Sequence, residues 1–206
     1  MSGPRAPGVH DARRDEWRAV YRSLALAFED DPVTAFLFPR ARTRVARLER
    51  LYDVLIPRLV AEGRLLTDDE HRAASVWQGP DPSHTSHASG VATLLRLGVV
   101  LRSRVRAGLA LAAALERARV RERHWYLGIL GAAPAHQGMG LGSALMRPVL
   151  DDCDAEGVVA YLESSKRSNI PFYERHGFAV IDEIAIDGGP PLWPMRREPR
   201  GRTRRP

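Results

Sequence analysis

The spacing of apolar positions changes period along the chain. From about Asp15 to Phe28, Trp17, Val20, Tyr21, Leu24 and Phe28 fall at helical spacings of three and four, which predicts an amphipathic helix ended by Asp30-Asp31-Pro32. A second helical period runs from about Ala41 to Glu62, with Val45, Leu48, Leu51, Tyr52 and Leu55 on one face. Pro57 is expected to kink or shorten it, because proline lacks the amide hydrogen of the helix ladder. Gly63 marks a stop. Arg64–Thr67 and Ala73–Trp77 then read as two short strands joined by the turn-rich Asp68-Asp69-Glu70-His71. Gly79-Pro80-Asp81-Pro82-Ser83 is a loop. From about Ser89 to Val120 the chain turns helical and apolar again, as two helices broken near Arg104 to Gly108.

Beyond this point short apolar runs alternate with helical ones. His124–Gly131 (HWYLGILG) reads as a buried strand, Gly140 to about Ala155 as a helix, and Val158–Leu162 as a strand. Ile170–His176 is a short helix with Gly177 as its C-cap, followed by strands at Phe178–Ala185 and Leu192–Arg196. Helices first and strand–helix–strand units later predict an α/β (α+β) fold around a central mixed sheet. No repeat and no long linker divides the chain. Residues 13–197 are therefore expected to form a single domain, with a helical half at 13–120 and an alternating half at 121–197. Residues 1–12 and the basic stretch 198–206 are expected to be disordered tails.

Composition narrows the class. A chain of 206 residues with a 44% hydrophobic fraction suits one compact domain. No apolar run reaches the ~18 residues of a membrane span, and the N-terminal stretch lacks an apolar h-region. No membrane partner and a cytoplasmic location are expected. Cys153 is the lone cysteine and reads as a small buried hydrophobe; no disulfide and no metal site are expected. The net charge of +6 invites a nucleic-acid reading. The basic residues are spread along the chain and into the C-terminal tail, without a helix-turn-helix, zinc-finger or RNP pattern, so no specific nucleic-acid partner is expected. Lys166 is the only lysine among many arginines, as GC-rich bacterial coding would produce.

The strongest chemical signal is Leu130-Gly-Ala-Ala-Pro134-Ala-His136-Gln137-Gly138-Met139-Gly140-Leu141-Gly142-Ser143, a strand leading through a glycine-rich turn into a helix. Glycines admit left-handed backbone and close approach of a ligand, and the helix N-terminus beyond them attracts anions. A phosphate or pyrophosphate is the expected occupant. The P-loop pattern is absent, since no Lys-Ser/Thr follows the glycines. A dinucleotide fingerprint is a near miss: Gly138-x-Gly140-x-x ends in Ser143, with Glu163 about 20 residues on, where a ribose-binding acid stands. The intervening Pro134-Ala-His-Gln makes the turn looser than that motif requires. A dinucleotide-dependent oxidoreductase stays open as an alternative.

Gln137-x-x-Gly140-x-Gly142, preceded by Leu130-x-Ala132-x-Pro134, resembles the acyl-CoA-binding motif of the GNAT superfamily of N-acetyltransferases. Leu162-Glu163-Ser-Ser-x-x-x-Asn169-x-Pro171-Phe172-Tyr173-Glu-Arg-His-Gly177-Phe178 is similar to the motif that follows it, in wording nearest the branch containing puromycin N-acetyltransferase. Gly189-Pro-Pro-Leu-Trp193-Pro-Met195 also fits that branch. The likeness is strong over 124–197 and weaker through the N-terminal helices, where it includes Phe28-x-Asp-Asp-Pro32. Ala132 departs from the valine often found there.

The resemblance implies a GNAT-like sheet, mixed and mostly antiparallel, flanked by helices, with splayed strands forming an acyl-CoA cleft. Acetyl-CoA is the implied cosubstrate, and a small-molecule amine the acceptor. The pyrophosphate would lie on amides of Gln137, Gly138, Met139, Gly140, Leu141, Gly142 and Ser143. The pantetheine arm would lie along Leu130, Gly131 and Ala132, where a backbone N–H would polarise the thioester carbonyl. Tyr173 stands at the motif position of the acid that protonates the leaving thiolate, and Glu163 is the candidate base. Glu163 as a carboxylate that satisfies neighbouring amides or arginine is an equal reading. Asn169 positions CoA or N-caps the helix at Ile170. His124 reads as structural or as part of the acceptor pocket. A non-catalytic acyl-CoA-binding module remains the other alternative, and either a monomer or a homodimer is compatible with the sequence.

Overall fold

The computed structural model describes residues 8–81 and 95–201. The elements follow the expected order, with helices α1 (Trp17–Ala27), α2 (Pro32–Leu37), α3 (Ala41–Leu59), α4 (Val105–Ala118), α5 (Leu141–Glu156) and α6 (Ile170–Arg175). The strands are β1 (Val9–Asp11), β2 (Gly63–Asp68), β3 (Ala73–Gln78), β4 (His124–Ala132), β5 (Val159–Ser164), β6 (Ala179–Val180), β7 (Ile184–Ala185) and β8 (Pro191–Arg197). Residues 95–101 are helical as well, and a 3₁₀ turn at Arg102–Arg104 separates them from α4. The break lies just ahead of the expected position; the expected helical start at 89–94 falls outside the described residues. Among those residues no helix is long and apolar enough to cross a membrane.

The strands form one sheet in the order β1-β2-β3-β4-β5-β8-β6, with β7 paired to the other end of β8. Every pairing is antiparallel except β4 with β5. A mixed, mostly antiparallel sheet flanked by helices is what the family resemblance implied. A dinucleotide domain needs a run of parallel strands, and a single parallel pair does not supply it.

The parallel pairing is short. It runs from His124 opposite Val159 to Leu127 opposite Leu162 and then stops. Beyond it, β4 continues through residues 128–132 against β3 alone, while Glu163 and Ser164 of β5 pair with β8. Gly128 marks the divergence. Val76 opposes Ile129 and Trp77 opposes Leu127, which leaves Gly128 as the extra residue of a bulge that bends the strand. The two strands therefore separate into a wedge.

Alternating side chains fill both faces of the sheet. Leu66, Ala73, Trp77, Leu127, Ala160, Leu162 and Met195 pack beneath α5 and α6. Leu65, Ala74 and Val76 pack against α1 and α3 on the opposite face. Cys153 lies in the first core, and burial pushes its thiol up to about 12, in keeping with a small hydrophobe.

Three local expectations are corrected. Val9–Asp11, placed in the disordered tail, pairs with Leu66–Asp68 as the edge strand. Pro32, read only as a stop, begins α2, because Asp31 caps it with bonds to the Val33 and Thr34 amides. The expected strand 178–185 is split, with Asp182 and Glu183 at the break, and both pieces pair with β8. Pro57 lies in the last turn of α3, which ends at Leu59, short of the expected Glu62, in line with the expected shortening.

Two contacts fix the geometry around the wedge. Gly131 of β4 lies so close to α1 that a Cβ there would stand 2.8 Å from the Ala27 Cβ and 2.9 Å from a Phe28 ring carbon. Arg197 of β8 is buried, makes two bonds to Asp154 of α5 at 2.8 and 2.7 Å, and donates to the His176 carbonyl at 3.0 Å. Burial alone would raise the Asp154 carboxyl; the Arg197 bonds and the Arg200 amide overcome it and hold it below the usual range.

Arg197→Ala strands a partly buried carboxylate and is expected to cost about 3 kcal/mol of stability in urea unfolding. Gly131→Ala is expected to cost about 1–3 kcal/mol in the same measurement, because α1 must move off β4. Loss of well under 1 kcal/mol from either would contradict these assignments.

Candidate active site

The loop after β4 follows from its glycines. A 3₁₀ turn at Pro134–His136 leads to Gly138 at φ 77° and Gly140 at φ 78°. An L side chain in that conformation costs roughly 1–2 kcal/mol, and no atom stands within 4 Å of a Cβ built at either position. Backbone conformation, rather than space, therefore demands glycine here. Gly140 is the N-cap of α5 and brings no side-chain capping bond, so the first amides of the 16-residue helix keep their donors for a ligand. Gln137 folds its side chain back onto the Ala132 carbonyl at 3.2 Å and closes the loop against the end of β4.

The wedge between β4 and β5 opens as a cleft of about 600 Å³. Leu130, Gly131 and Ala132 form one wall, and Gln137, Gly138, Gly140, Leu141, Gly142 and Ser143 form the floor. Lys166, Ser168, Asn169, Phe172, Tyr173 and Arg175 form the other wall. The structure thus brings ten of the eleven residues expected to hold the donor into one cavity. Met139 is the exception: it stays in the loop with its side chain turned to solvent, 56% exposed. Asn169 stands at the N-cap of α6 but makes no side-chain capping bond, so the capping expectation is not met; its side chain belongs to the cleft wall.

Tyr173 reaches the cleft from α6 and is nearly enclosed, packed edge-on against Phe172 and Phe178. Burial first, and the nearby negative charge of Asp31 second, hold its phenol above the usual range. It therefore keeps its proton throughout the neutral range. Asp31 also lines the cleft and is 3% exposed. One of its oxygens caps α2, and the other accepts from the Ser165 hydroxyl just past β5, so Asp31 ties the helical half across the cleft to the alternating half.

Glu163 is not part of the cleft wall. It points to the face of the sheet that carries α1 and α4, where Tyr126 and Tyr161 stack at 6.1 Å with the Arg119 guanidinium 5.4 Å over the Tyr126 ring. Burial raises its carboxyl above the usual range, against the Tyr126 and Tyr161 hydroxyls and the charge of Arg119, which favour the ion. The Tyr161 hydroxyl also donates to the Ala118 carbonyl at 2.8 Å. His124 packs edge-on against Tyr161, with Nδ1 2.7 Å from the Glu122 carbonyl.

Sequence reasoning missed Asp31, Lys166, Ser168 and Arg175 as cleft residues. Only Asp31 left a signal, an aspartate before proline that marks a helix start. Among the described residues no group of three or more His, Cys, Asp or Glu is placed to hold a metal.

The arrangement offers an anion site of amides, a strand edge unpaired beyond Leu127 and a protonated phenol, all facing one cavity. Comparison with known proteins agrees with it. Residues 63–178 match the model of the acetyltransferase (GNAT) family, more than half of the chain. An uncharacterized N-acetyltransferase of Schizosaccharomyces pombe is 28% identical over 201 residues, covering 89% of this chain and 80% of the relative. Among solved structures, one described as histone acetyltransferase HPA2 and related acetyltransferase from Corynebacterium glutamicum superposes with a TM-score of 0.74 at 23% identity, over 97% of this chain and 99% of the other. A GCN5-related N-acetyltransferase from Rhodopseudomonas palustris superposes with a TM-score of 0.55 at 11% identity, over 96% of this chain and 99% of the other. The mixed sheet opened between β4 and β5, the glycine loop and the match to the family model together place this chain in the GNAT acetyltransferase family.

Proposed function

We propose that this chain is an acetyl-CoA-dependent N-acetyltransferase that acetylates a primary amine of a small molecule by direct attack. The observation that carries the reading is the convergence, on one cleft, of the glycine-loop amides, the free edge of β4 and the Tyr173 phenol. The residues present suit the donor. The uncapped amides of α5 meet the pyrophosphate, and residues 128–132 keep backbone groups on their unpaired edge for the pantetheine arm and the thioester oxygen. Acetyl-CoA supplies an acyl group already activated as a thioester.

The reaction forms a C–N bond and breaks a C–S bond. The protein moves two protons around it. Tyr173 gives its phenolic proton to the sulfur as the bond breaks, a role that suits an enclosed phenol with its proton retained. Glu163 takes the proton from the attacking nitrogen. Its position outside the cleft wall requires a water between them, and its raised carboxyl lies closer to neutrality than an exposed one. Leu162-Glu163 with Asn169-x-Pro171-Phe172-Tyr173 further suggests the puromycin N-acetyltransferase branch, without identifying the acceptor. On this reading the enzyme works in the cytoplasm, as a monomer or homodimer.

An amine screen with acetyl-CoA tests the reading. With an accepted amine, Tyr173→Phe is expected to lower kcat about 10²-fold or more while acetyl-CoA binding holds. Glu163 must be ionised to act, so kcat/KM rises with pH through its raised pKa; Glu163→Gln is expected to lower the plateau and abolish that limb. A folded protein that binds acetyl-CoA and acetylates no amine would be a binding module instead. Full activity in Tyr173→Phe would remove the phenol from the mechanism.

A further inference from the structure

A second cavity, of about 190 Å³, lies between α5, the end of α6 and the end of β8. Its walls carry the guanidinium groups of Arg147, Arg175, Arg197 and Arg200 around a half-buried His176. The acids present do not balance them. Asp154 is engaged by Arg197 through two bonds and by the Arg200 amide, which leaves Asp151. Among the described residues Arg147 and Arg175 form no ion pair.

His176 reports the resulting field. Burial, and after it Arg175, Arg197, Arg200 and Arg147, all depress its pKa, so the ring is neutral at pH 7. Its Nε2 lies 3.0 Å from the Ser143 hydroxyl. The cavity is thus a concentrated positive patch with a neutral imidazole and a hydroxyl at its centre, suited to a doubly charged oxyanion.

Its position says where such an anion comes from. Ser143 and Arg175 line both the cleft and this cavity, so the two adjoin. Arg147 stands one turn, about 6 Å, along α5 from Ser143. A ribose spans a similar distance between groups on its 5′ and 3′ oxygens. We infer that the arginine-lined cavity is a phosphate-monoester site that receives the 3′-phosphate at the ADP end of the acyl-CoA donor. The inference rests on the donor reading above. It adds a means by which this chain distinguishes acyl-CoA from its 3′-dephospho form, through side chains that take no part in the chemistry.

Calorimetric titration of the full chain with acetyl-CoA and with 3′-dephospho-acetyl-CoA separates the outcomes. Acetyl-CoA is expected to bind about tenfold tighter or more, equivalent to about 1.4 kcal/mol. In an Arg147→Ala, Arg200→Ala double variant the gap should close to within about twofold, with affinity for the dephospho form unchanged. His176 ring resonances should move with acetyl-CoA and stay in place with the dephospho form. Equal affinities in the wild type would overturn the inference, as would a gap that persists in the folded double variant. Inorganic phosphate that shifts the His176 resonances while the two donors bind equally would make the cavity a free-phosphate site. Binding of neither donor by folded protein would instead sink the donor reading itself.

Discussion

The divergence of β4 from β5 after Leu127 and Leu162 is the constraint on which the rest depends. A parallel pair that continued would use both edges of β4 and leave no place for a ligand. The bulge at Gly128 turns β4 toward β3, and β8 draws the end of β5 away. One edge of residues 128–132 then faces open space, and the cavity is created by sheet geometry before any side chain is chosen. The close seat of α1 on Gly131 and the Arg197–Asp154 clamp hold the two sides of the opening in place.

The two groups proposed to carry the chemistry sit on either side of this opening in differently tuned surroundings. The Tyr173 phenol is dried by its aromatic neighbours and stays protonated, as the proposed proton donor to a leaving sulfur must. The Glu163 carboxyl is also desolvated, but two tyrosine hydroxyls and Arg119 restrain the shift. The same physical cause, burial, raises both groups, and on the proposed reading it equips one to give a proton and brings the other closer to the range in which it can accept one. The Asp31–Ser165 bond joins the helical half to the half that carries both groups.

Much of this was legible in the chain. The helical spacing of Trp17, Val20, Tyr21 and Leu24 located α1 and its buried face, and the glycine run located the left-handed loop and the start of α5, because both are dictated by local backbone physics. Three-residue β1 was invisible, since a strand that short has no period to read. The divergence of β4 and β5 was legible only through family resemblance: Gly128 looks like any glycine in an apolar strand, and its bulge exists only relative to β3. Asp31-Pro32 reads as a stop, although an aspartate before proline also suits a helix start, and its place at the cleft was hidden, because that depends on Ser165, distant in sequence. Arg44 was likewise hidden: it is buried in α3 and closes three carbonyls of the α1–α2–α3 connections, a role set entirely by tertiary packing.

Hydrogen exchange of the backbone amides, with and without acetyl-CoA and with NAD as a control, reads the central claim directly. Acetyl-CoA should slow exchange in two separated segments, the loop and helix start at 138–143 and the β4 edge at 128–132, and NAD should slow neither. Protection confined to one segment, or protection by NAD in place of acetyl-CoA, would contradict a donor held across the opening between β4 and β5.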